Sequence, residues 1–205
     1  LGVTKAPETT YTFTANSTIS LEFAEENRPV TLCYYLLHEV DLACELTTSS
    51  DSTNWSEPKT ISMKKVFSWE QVELDNDTYF LNLKNTSDTG YIGELIFLNK
   101  DGEAVSPLNA SQYPTLFDEA DTLPAHFDFR SSAYFDEIYY HRTAYEFAEE
   151  MPAYEMTHPP LGKTFIMLGT MLFGLNPFGF RFMGTLFGIL MLPFMYLLAR
   201  NLTRN

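Results

Sequence analysis

Hydrophobic and polar residues alternate over much of the first hundred residues of the chain. In the stretch YTFTANSTISLEF, residues 11–23, apolar side chains recur at alternate positions, which is the period of a strand with one buried face. Further short segments of strand character lie at residues 30–37, 43–49, 61–67, 70–74, 78–84 and 91–98. Turn-forming clusters such as DND and NKDG separate them. This spacing predicts an antiparallel all-β sandwich of the jelly-roll type over residues 1–105.

The pattern changes after the last of these segments. Residues 106–134 contain three prolines and no regular period, which predicts an ordered linker. Helical spacing then begins near Asp136 and continues to the break at Met151 and Pro152. We therefore expect a helical juxtamembrane segment over residues 135–163.

The C-terminal part of the chain is strongly apolar. Residues 178–199 carry one charge, Arg181, and are long enough to cross a bilayer as a helix, although a buried core helix is the alternative. Arg200 and Arg204 follow, as expected for a cytoplasmic flank. The run at residues 164–175 is shorter and predicts an interfacial or half-inserted helix. This arrangement places residues 1–163 on the extracytoplasmic side.

Charge divides the chain in the same way. The formal net charge is −14, and all 27 acidic residues lie before residue 161. The charged residues of 161–205 are all basic. This asymmetry indicates water as the solvent of the first part and a membrane as that of the second. The acidity of the first part argues against a nucleic-acid partner. The two cysteines, Cys33 and Cys44, are compatible with a disulfide or with two buried thiols.

The predicted sandwich resembles a known family of domains. Residues 10–105 are similar to discoidin or galactose-binding-like β-sandwiches. The resemblance rests on four segments in this order: SSDSTNW, FSWEQVEL, TYFLNLK and GYIGELIFLNKDG. Many members of that family bind sugars through loops at one end. The resemblance implies that Trp55, Tyr34 and Tyr35 could stack on a carbohydrate. The alternative is that the tyrosines lie in the core and that Trp55 covers one end of the sandwich.

The region after the linker resembles a family of membrane enzymes. Four stretches carry the resemblance: FDE at 135–137, YYHRTAYEF at 139–147, THPPLGK at 157–163 and LFGLNPFGFRFMGTLFGILMLPFMYLLAR at 172–200. Together they resemble the first extracytoplasmic loop and following helix of protein O-mannosyltransferases. These are multi-pass enzymes of the GT-C fold that take their sugar from a polyprenyl-phosphate carrier. The resemblance, over residues 134–202, implies a cell-membrane glycosyltransferase that moves a sugar, expected to be mannose, to a protein hydroxyl or envelope glycan.

The same resemblance assigns roles to the acid pair. Asp136 would be the general base that takes the proton of the acceptor hydroxyl, with inversion at the sugar, and Glu137 would orient the reacting groups. An N-cap of the following helix is the alternative role for Asp136. No group of residues has a convincing metal-ligand spacing, so the sequence assigns no metal ligands, and the resemblance implies a polyprenyl-phosphate sugar as the donor substrate.

Cationic residues complete the predicted site. His158, followed by two prolines, would shape the turn beside the active site. Lys163 and Arg142 would contact the donor phosphate. Arg181 would contact a lipid phosphate or anchor the interface, and snorkelling is the alternative for Lys163. His141 is expected at the surface.

Two departures from the resemblance matter. The family has a short loop before its Asp-Glu motif, whereas this chain has a sandwich there, which could bind an acceptor or act as a spacer. A GT-C enzyme also needs more membrane spans than this chain supplies. We therefore expect a fragment, starting at Leu1 without a methionine, that is inactive alone. The alternatives are a membrane-anchored carbohydrate-binding module without catalysis and a transferase that modifies a lipid.

Overall fold

The computed structural model describes residues 7, 9–37, 42–75, 77–128 and 131–203. Arg204, part of the predicted cytoplasmic flank, lies outside these residues. The described chain divides into two compact units. The first extends to Phe127 and contains the strands, and the second begins at Asp128 and contains the helices.

The described residues of the first unit form nine strands in two antiparallel sheets. One sheet has the order β1-β8-β3-β6, with β9 paired to β8, and the other has the order β2-β7-β4-β5. The chain crosses repeatedly between the sheets, as it does in double-sheet jelly rolls. The predicted antiparallel β-sandwich is therefore confirmed. The strands are β1 Tyr11–Phe13, β2 Thr18–Glu22, β3 Thr31–Leu36, β4 Leu42–Ser49, β5 Lys59–Met63, β6 Trp69–Glu73, β7 Phe80–Asn85, β8 Gly90–Leu98 and β9 Ala104–Val105.

Alternating apolar side chains form the sandwich core. Ile19 of β2 pairs with Leu83 of β7, and both are buried. Burying one such side chain stabilises the fold by roughly 1.5–3 kcal/mol. Cys33 and Cys44 are free, buried thiols on strands of opposite sheets. Burial raises their pKa values to about 11 and 12, respectively, which fits the buried-thiol alternative.

The stretch predicted as one strand over residues 11–23 is two strands. β1 and β2 lie in different sheets, and Asn16 between them has a φ of 60°. Asparagine tolerates this left-handed conformation better than most residues. The alternation continues through the turn, so periodicity alone did not reveal the crossing.

Residues 106–127 pack onto the sandwich, although the sequence predicts a linker there. Leu116 is fully buried, its carbonyl accepts a hydrogen bond from Leu95 N at 3.0 Å, and Leu108 N donates to Glu22 O at 2.7 Å. The segment contains two single 3₁₀ turns, Ala110–Gln112 and Ala120–Thr122. It is held by isolated contacts with no period of their own, which explains its linker-like sequence.

The second unit contains three helices. They are α1 Glu137–Ala148, α2 Pro160–Phe173 and α3 Pro177–Thr203. Proline suits the first turn of α2 because the N–H it lacks has no partner there. Between α2 and α3, Asn176 Oδ1 accepts a hydrogen bond from Gly179 N at 3.0 Å and so caps α3. The backbones of α2 and α3 meet at Gly169 and Gly179, where a Cβ atom would have no room.

One helix among the described residues is long and apolar enough to cross a membrane. It is α3, with 27 residues, and it extends beyond the predicted span on both sides. Helix α2 is apolar but shorter, with 14 residues. The predicted membrane-spanning segment is thus supported by length and composition.

Candidate functional site

The two acids at the start of α1 have different surroundings. Glu137 is fixed in place, because Arg181 donates to it twice, from Nε to Oε1 at 2.8 Å and from Nη2 to Oε2 at 2.5 Å. Tyr134 N donates to the same carboxylate at 2.8 Å. Partial burial acts to raise the pKa of Glu137, but the Arg181 and Tyr134 hydrogen bonds outweigh it and lower the pKa overall. Glu137 therefore joins the start of α1 to the start of α3.

Asp136 lies next to this ion pair and takes no part in it. Asp136 occupies the N-cap position of α1, but its exposed side chain accepts no capping hydrogen bond from the backbone of the helix. Among the described residues, its carboxylate has no ion pair or hydrogen bond. The preceding residue, Phe135, has a φ of 50°, which is costly for a bulky residue. Such local strain is concentrated at functional sites.

Asp136 lines an open cavity of about 550 Å³. Its other walls come from α1 and from the loop before α2, and the lining residues are Tyr139, Tyr140, Tyr154, Glu155, Met156, Thr157 and His158. His158 Nδ1 lies 3.2 Å from Glu155 Oε2, and its ring meets the Tyr140 ring edge-on at 5.3 Å. The structure thus brings Asp136 and His158 to the same cavity, next to aromatic rings that could cover a sugar.

Lys163 is engaged by its own loop. Its Nζ is buried and donates to the Glu155 carboxylate and to the Glu155 carbonyl. The hydrogen bond from Lys163, with further ones from Thr157, holds the pKa of Glu155 at about 2. A buried ammonium paired in this way does not fit the snorkelling alternative. Lys163 also lines a mostly apolar groove of about 300 Å³, which shares Tyr140 with the Asp136 cavity.

Arg142 supports the wall of the Asp136 cavity. Its Nε donates to Glu146 Oε1 at 2.7 Å, and its guanidinium lies 3.6 Å from the centre of the Tyr154 ring. Glu146 Oε2 in turn accepts a hydrogen bond from Tyr154 N at 2.7 Å. Tyr154 stacks on Tyr139 with only 11° between the ring planes. The three cations of the predicted site, Arg142, Lys163 and Arg181, are therefore all paired with carboxylates.

Sequence reasoning missed two of these carboxylates and misplaced one histidine. Glu146 stands four residues after Arg142, a spacing that brings side chains together on a helix and could have revealed the pair. Glu155 has no such signal, because a turn with two prolines brings it to Lys163. His141, expected at the surface, is buried against Phe180, and burial lowers its pKa to about 3, so it is neutral.

The sandwich residues predicted to bind carbohydrate have contrasting positions. Trp55 is 40% exposed and follows a loop in which Asp51 Oδ1 accepts hydrogen bonds from the backbone of Thr53 and Asn54. Those bonds hold the pKa of Asp51 well below its usual range. Tyr34 and Tyr35 are only 5% and 2% exposed. This burial favours the alternative that the tyrosines lie in the core, because β3 is a central strand covered on both faces.

Comparison with known proteins gives a partial match. No protein-family model matches the chain. A stretch of 77 residues is 35% identical to a curated Mycobacterium tuberculosis protein named "Polyprenol-phosphate-mannose--protein mannosyltransferase", and equally to one of the same name from Mycolicibacterium smegmatis. The match covers 35% of this chain and 15% of each relative. The chain thus spans a small part of the length of these relatives, and their names support the mannosyltransferase resemblance.

Proposed function

We propose that this chain is part of an integral-membrane GT-C glycosyltransferase that moves mannose from a polyprenyl-phosphate carrier to a protein hydroxyl. The observation that carries the proposal is the contrast within the acid pair. Glu137 is held by Arg181, whereas Asp136 is exposed at an open cavity. The similarity to proteins named "Polyprenol-phosphate-mannose--protein mannosyltransferase" supports this choice of donor.

In this proposal Asp136 acts as the general base. The acceptor hydroxyl oxygen attacks the anomeric carbon of the donor while the Asp136 carboxylate takes the hydroxyl proton. The bond between the anomeric carbon and the phosphate oxygen breaks, and polyprenyl phosphate leaves with the bonding electrons. Attack opposite the leaving group inverts the anomeric centre. A positioned carboxylate within hydrogen-bond reach of the acceptor suffices for this step.

The remaining site residues position the reaction. His158 lines the cavity with Asp136, so of the four basic residues of the predicted site it is the best placed to contact the substrate there. Lys163, Arg142 and Arg181 act through the groups that they hold: the loop at Glu155, the ring of Tyr154 and the carboxylate of Glu137. Fixed groups of this kind reduce the reorganisation that a transition state requires.

The membrane explains why the site is built here. A lipid-linked donor keeps its tail in the bilayer and its head group at the interface, so the base must stand at that depth. Arg181, which fixes Glu137, lies in the first turns of α3, the helix suited to span the bilayer. We place residues 1–163 outside the cytoplasm, α2 at the interface, and further spans in the full-length, multi-pass parent.

The direct test uses the full-length parent in membranes. Transfer from radiolabelled polyprenyl-phosphate mannose to an acceptor peptide is compared for the wild type and Asp136→Asn. Loss of a general base should reduce transfer on the order of 10²–10⁴-fold at equal protein level. Glu149→Gln, an exposed acid at the other end of α1, is the matched control and should transfer normally. Normal transfer by Asp136→Asn would overturn the assignment.

A second candidate function concerns the sandwich alone. Trp55 is exposed on a loop ordered by Asp51, which suits stacking on a sugar ring. We propose that the domain is a galactose-binding-like module that holds a glycan acceptor. Affinity electrophoresis in gels containing mannan should show retardation of the wild type that Trp55→Ala loses. Equal mobility of the two proteins in all glycans tested would remove this candidate.

A further inference from the structure

A buried glutamate in the sandwich lacks a partner for one of its oxygens. Glu94, on β8, is 0% exposed. Its Oε2 accepts a hydrogen bond from Glu119 N at 3.3 Å, but Oε1 is buried with no hydrogen-bond partner among the described residues. A carboxylate removed from water costs free energy unless a charge or a donor compensates it. Burial, with the nearby charges of Asp118 and Glu119, raises the pKa of Glu94 to about 8.

Two further carboxylates face the same point. Oxygens of Glu94, Asp118 and Glu119 all lie within 4.8 Å of one another. Asp118 and Glu119 belong to the segment 106–127, which is aligned on β8 by the Leu95–Leu116 backbone hydrogen bond. Thr9 N donates to Glu119 Oε2 at 2.9 Å, and Thr9 Oγ1 lies 3.1 Å from Asp118 Oδ1 and 2.9 Å from Glu119 Oε2. Oxygen atoms from three separate parts of the chain therefore converge here.

We propose that Glu94, Asp118 and Glu119 bind a divalent cation of the calcium type. Calcium binds oxygen ligands at about 2.3–2.6 Å, so two ligands on opposite sides of the ion are about 4.8 Å apart. The oxygens of the described cluster lie no farther apart than this distance, and the cluster offers carboxylate oxygens only. Zinc, by contrast, favours nitrogen and sulfur ligands. Exposed Asp118 leaves an open side at which water molecules complete the coordination.

The cation would fasten the segment 106–127 to the sandwich. It joins a central strand to this segment, which has no regular secondary structure apart from short turns. The spacing of the three acids along the sequence predicts no metal site, because Glu94 is far from the other two. Calcium sites of extracellular modules bind at about 10⁻⁴–10⁻³ M, which suits the extracytoplasmic side of a membrane.

The test is calcium binding by the full chain in detergent after treatment with EDTA. Isothermal titration with CaCl₂ should give one site with a Kd of about 10⁻⁴–10⁻³ M. In about 5 mM CaCl₂ the sandwich should unfold at a temperature about 3–6 °C higher than in EDTA, because the ion binds only the folded state. No heat of binding and no shift for the wild type would overturn the proposal, and would leave Glu94 as a buried, protonated acid.

Variants separate the site from a general effect of calcium. Glu94→Gln keeps the shape, removes the buried charge, and should lose the calcium shift while unfolding in EDTA no earlier than the wild type. Asp118→Asn changes an exposed residue, so it should fold normally and bind at least about tenfold more weakly. Glu45→Gln, a strand glutamate in the other sheet, should bind like the wild type. Wild-type titration curves for both Glu94→Gln and Asp118→Asn would contradict the proposal.

Discussion

The helical unit and the sandwich place carboxylates out of water in different ways. In the helical unit, three carboxylates pair with cations of the same unit: Glu137 with Arg181, Glu146 with Arg142 and Glu155 with Lys163. In the sandwich, Glu94 is more deeply buried than any of these, and one of its oxygens has no hydrogen-bond partner in the part of the chain that the structure describes. The helical unit therefore supplies the cations that neutralise its own carboxylates. In the sandwich, the charge of Glu94 is left to be neutralised by a bound ion or a proton.

A carboxylate that is not paired with a cation therefore suits different roles in the two units. Asp136 is exposed at a cavity, where water solvates it and a substrate can reach it, so its lack of a partner among the described side chains suits a base. Glu94 is buried, where an unpaired charge is costly, so its lack of a partner suits a ligand. The paired acids beside Asp136 keep the surrounding groups in place.

Removing the counter-charge of Glu146 should have the largest effect on stability. Arg142→Met leaves this nearly buried carboxylate without its cation and removes the contact with Tyr154. We expect a loss of about 3 kcal/mol in unfolding free energy, measured by denaturant titration of the full chain in detergent. Adding Glu146→Gln should recover part of the loss. A loss below about 0.5 kcal/mol would show that the pair is not a true buried ion pair.

Replacing one buried, neutral side chain in the sandwich, Asn85, which is fully hydrogen-bonded, should lower stability almost as much. Buried Asn85 donates from Nδ2 to Phe13 O and Asp88 O, each at 2.9 Å, and accepts from Ser87 N at 2.8 Å. Asn85→Ala leaves these backbone groups without partners, so we expect a loss of about 2–3 kcal/mol on the same denaturant scale. Asn82→Ala, on the outer face of the same strand, is the control and should cost less than about 1 kcal/mol. Equal losses of stability for Asn85→Ala and Asn82→Ala would refute the contrast between the buried and the outer asparagine.

The Glu137–Arg181 pair should contribute less, because both side chains are about one-third exposed. A double-mutant cycle with Glu137→Gln and Arg181→Gln should give a coupling of about 1 kcal/mol. A coupling near zero would mean that Glu137 is not held by Arg181, and the contrast with Asp136 would then be lost.

The smallest expected effect is a pH dependence from Glu155. Because Lys163 lowers the folded pKa of Glu155 to about 2, its stabilisation is complete above the ordinary pKa of 4.5 and is lost as the pH falls towards 2. The melting temperature of the full chain should therefore decline more steeply between pH 5 and pH 3 in the wild type than in Lys163→Met. Parallel curves would contradict this account of the pair.

The elements of the fold were predictable where a segment carries its own signal. β7 alternates between buried and more exposed positions, β8 is an apolar run between turn clusters, and α3 is apolar over a membrane-spanning length. The packing of 106–127 was not predictable, because it depends on isolated backbone and side-chain contacts to β8 and β2. The burial of Tyr34 and Tyr35 follows from the central place of β3 in its sheet, and the nearly continuous apolar run VTLCYYLL was a signal for it.

The candidate site was predictable mainly through resemblance. The motifs around Asp136 and His158 pointed to both residues, but no physical rule placed them at one cavity. The pairing of Lys163 with Glu155 depends on the path of a proline-containing turn. Glu94 left a weak signal, a single acid inside the apolar run GYIGELIFL, whereas its neighbours Asp118 and Glu119 lie in a segment without any pattern.

The central claim is that Asp136 takes part in the reaction, whereas Glu137 holds the structure of the site. Comparing Asp136→Asn with Glu137→Gln in the full-length parent tests this claim most directly. Transfer from polyprenyl-phosphate mannose and the melting temperature are measured on the same membrane preparations of Asp136→Asn and Glu137→Gln. We expect Asp136→Asn to lose on the order of 100-fold or more in transfer with an unchanged melting temperature, whereas Glu137→Gln lowers the melting temperature. Asp136→Asn that retains transfer within about threefold of the wild type would contradict the account.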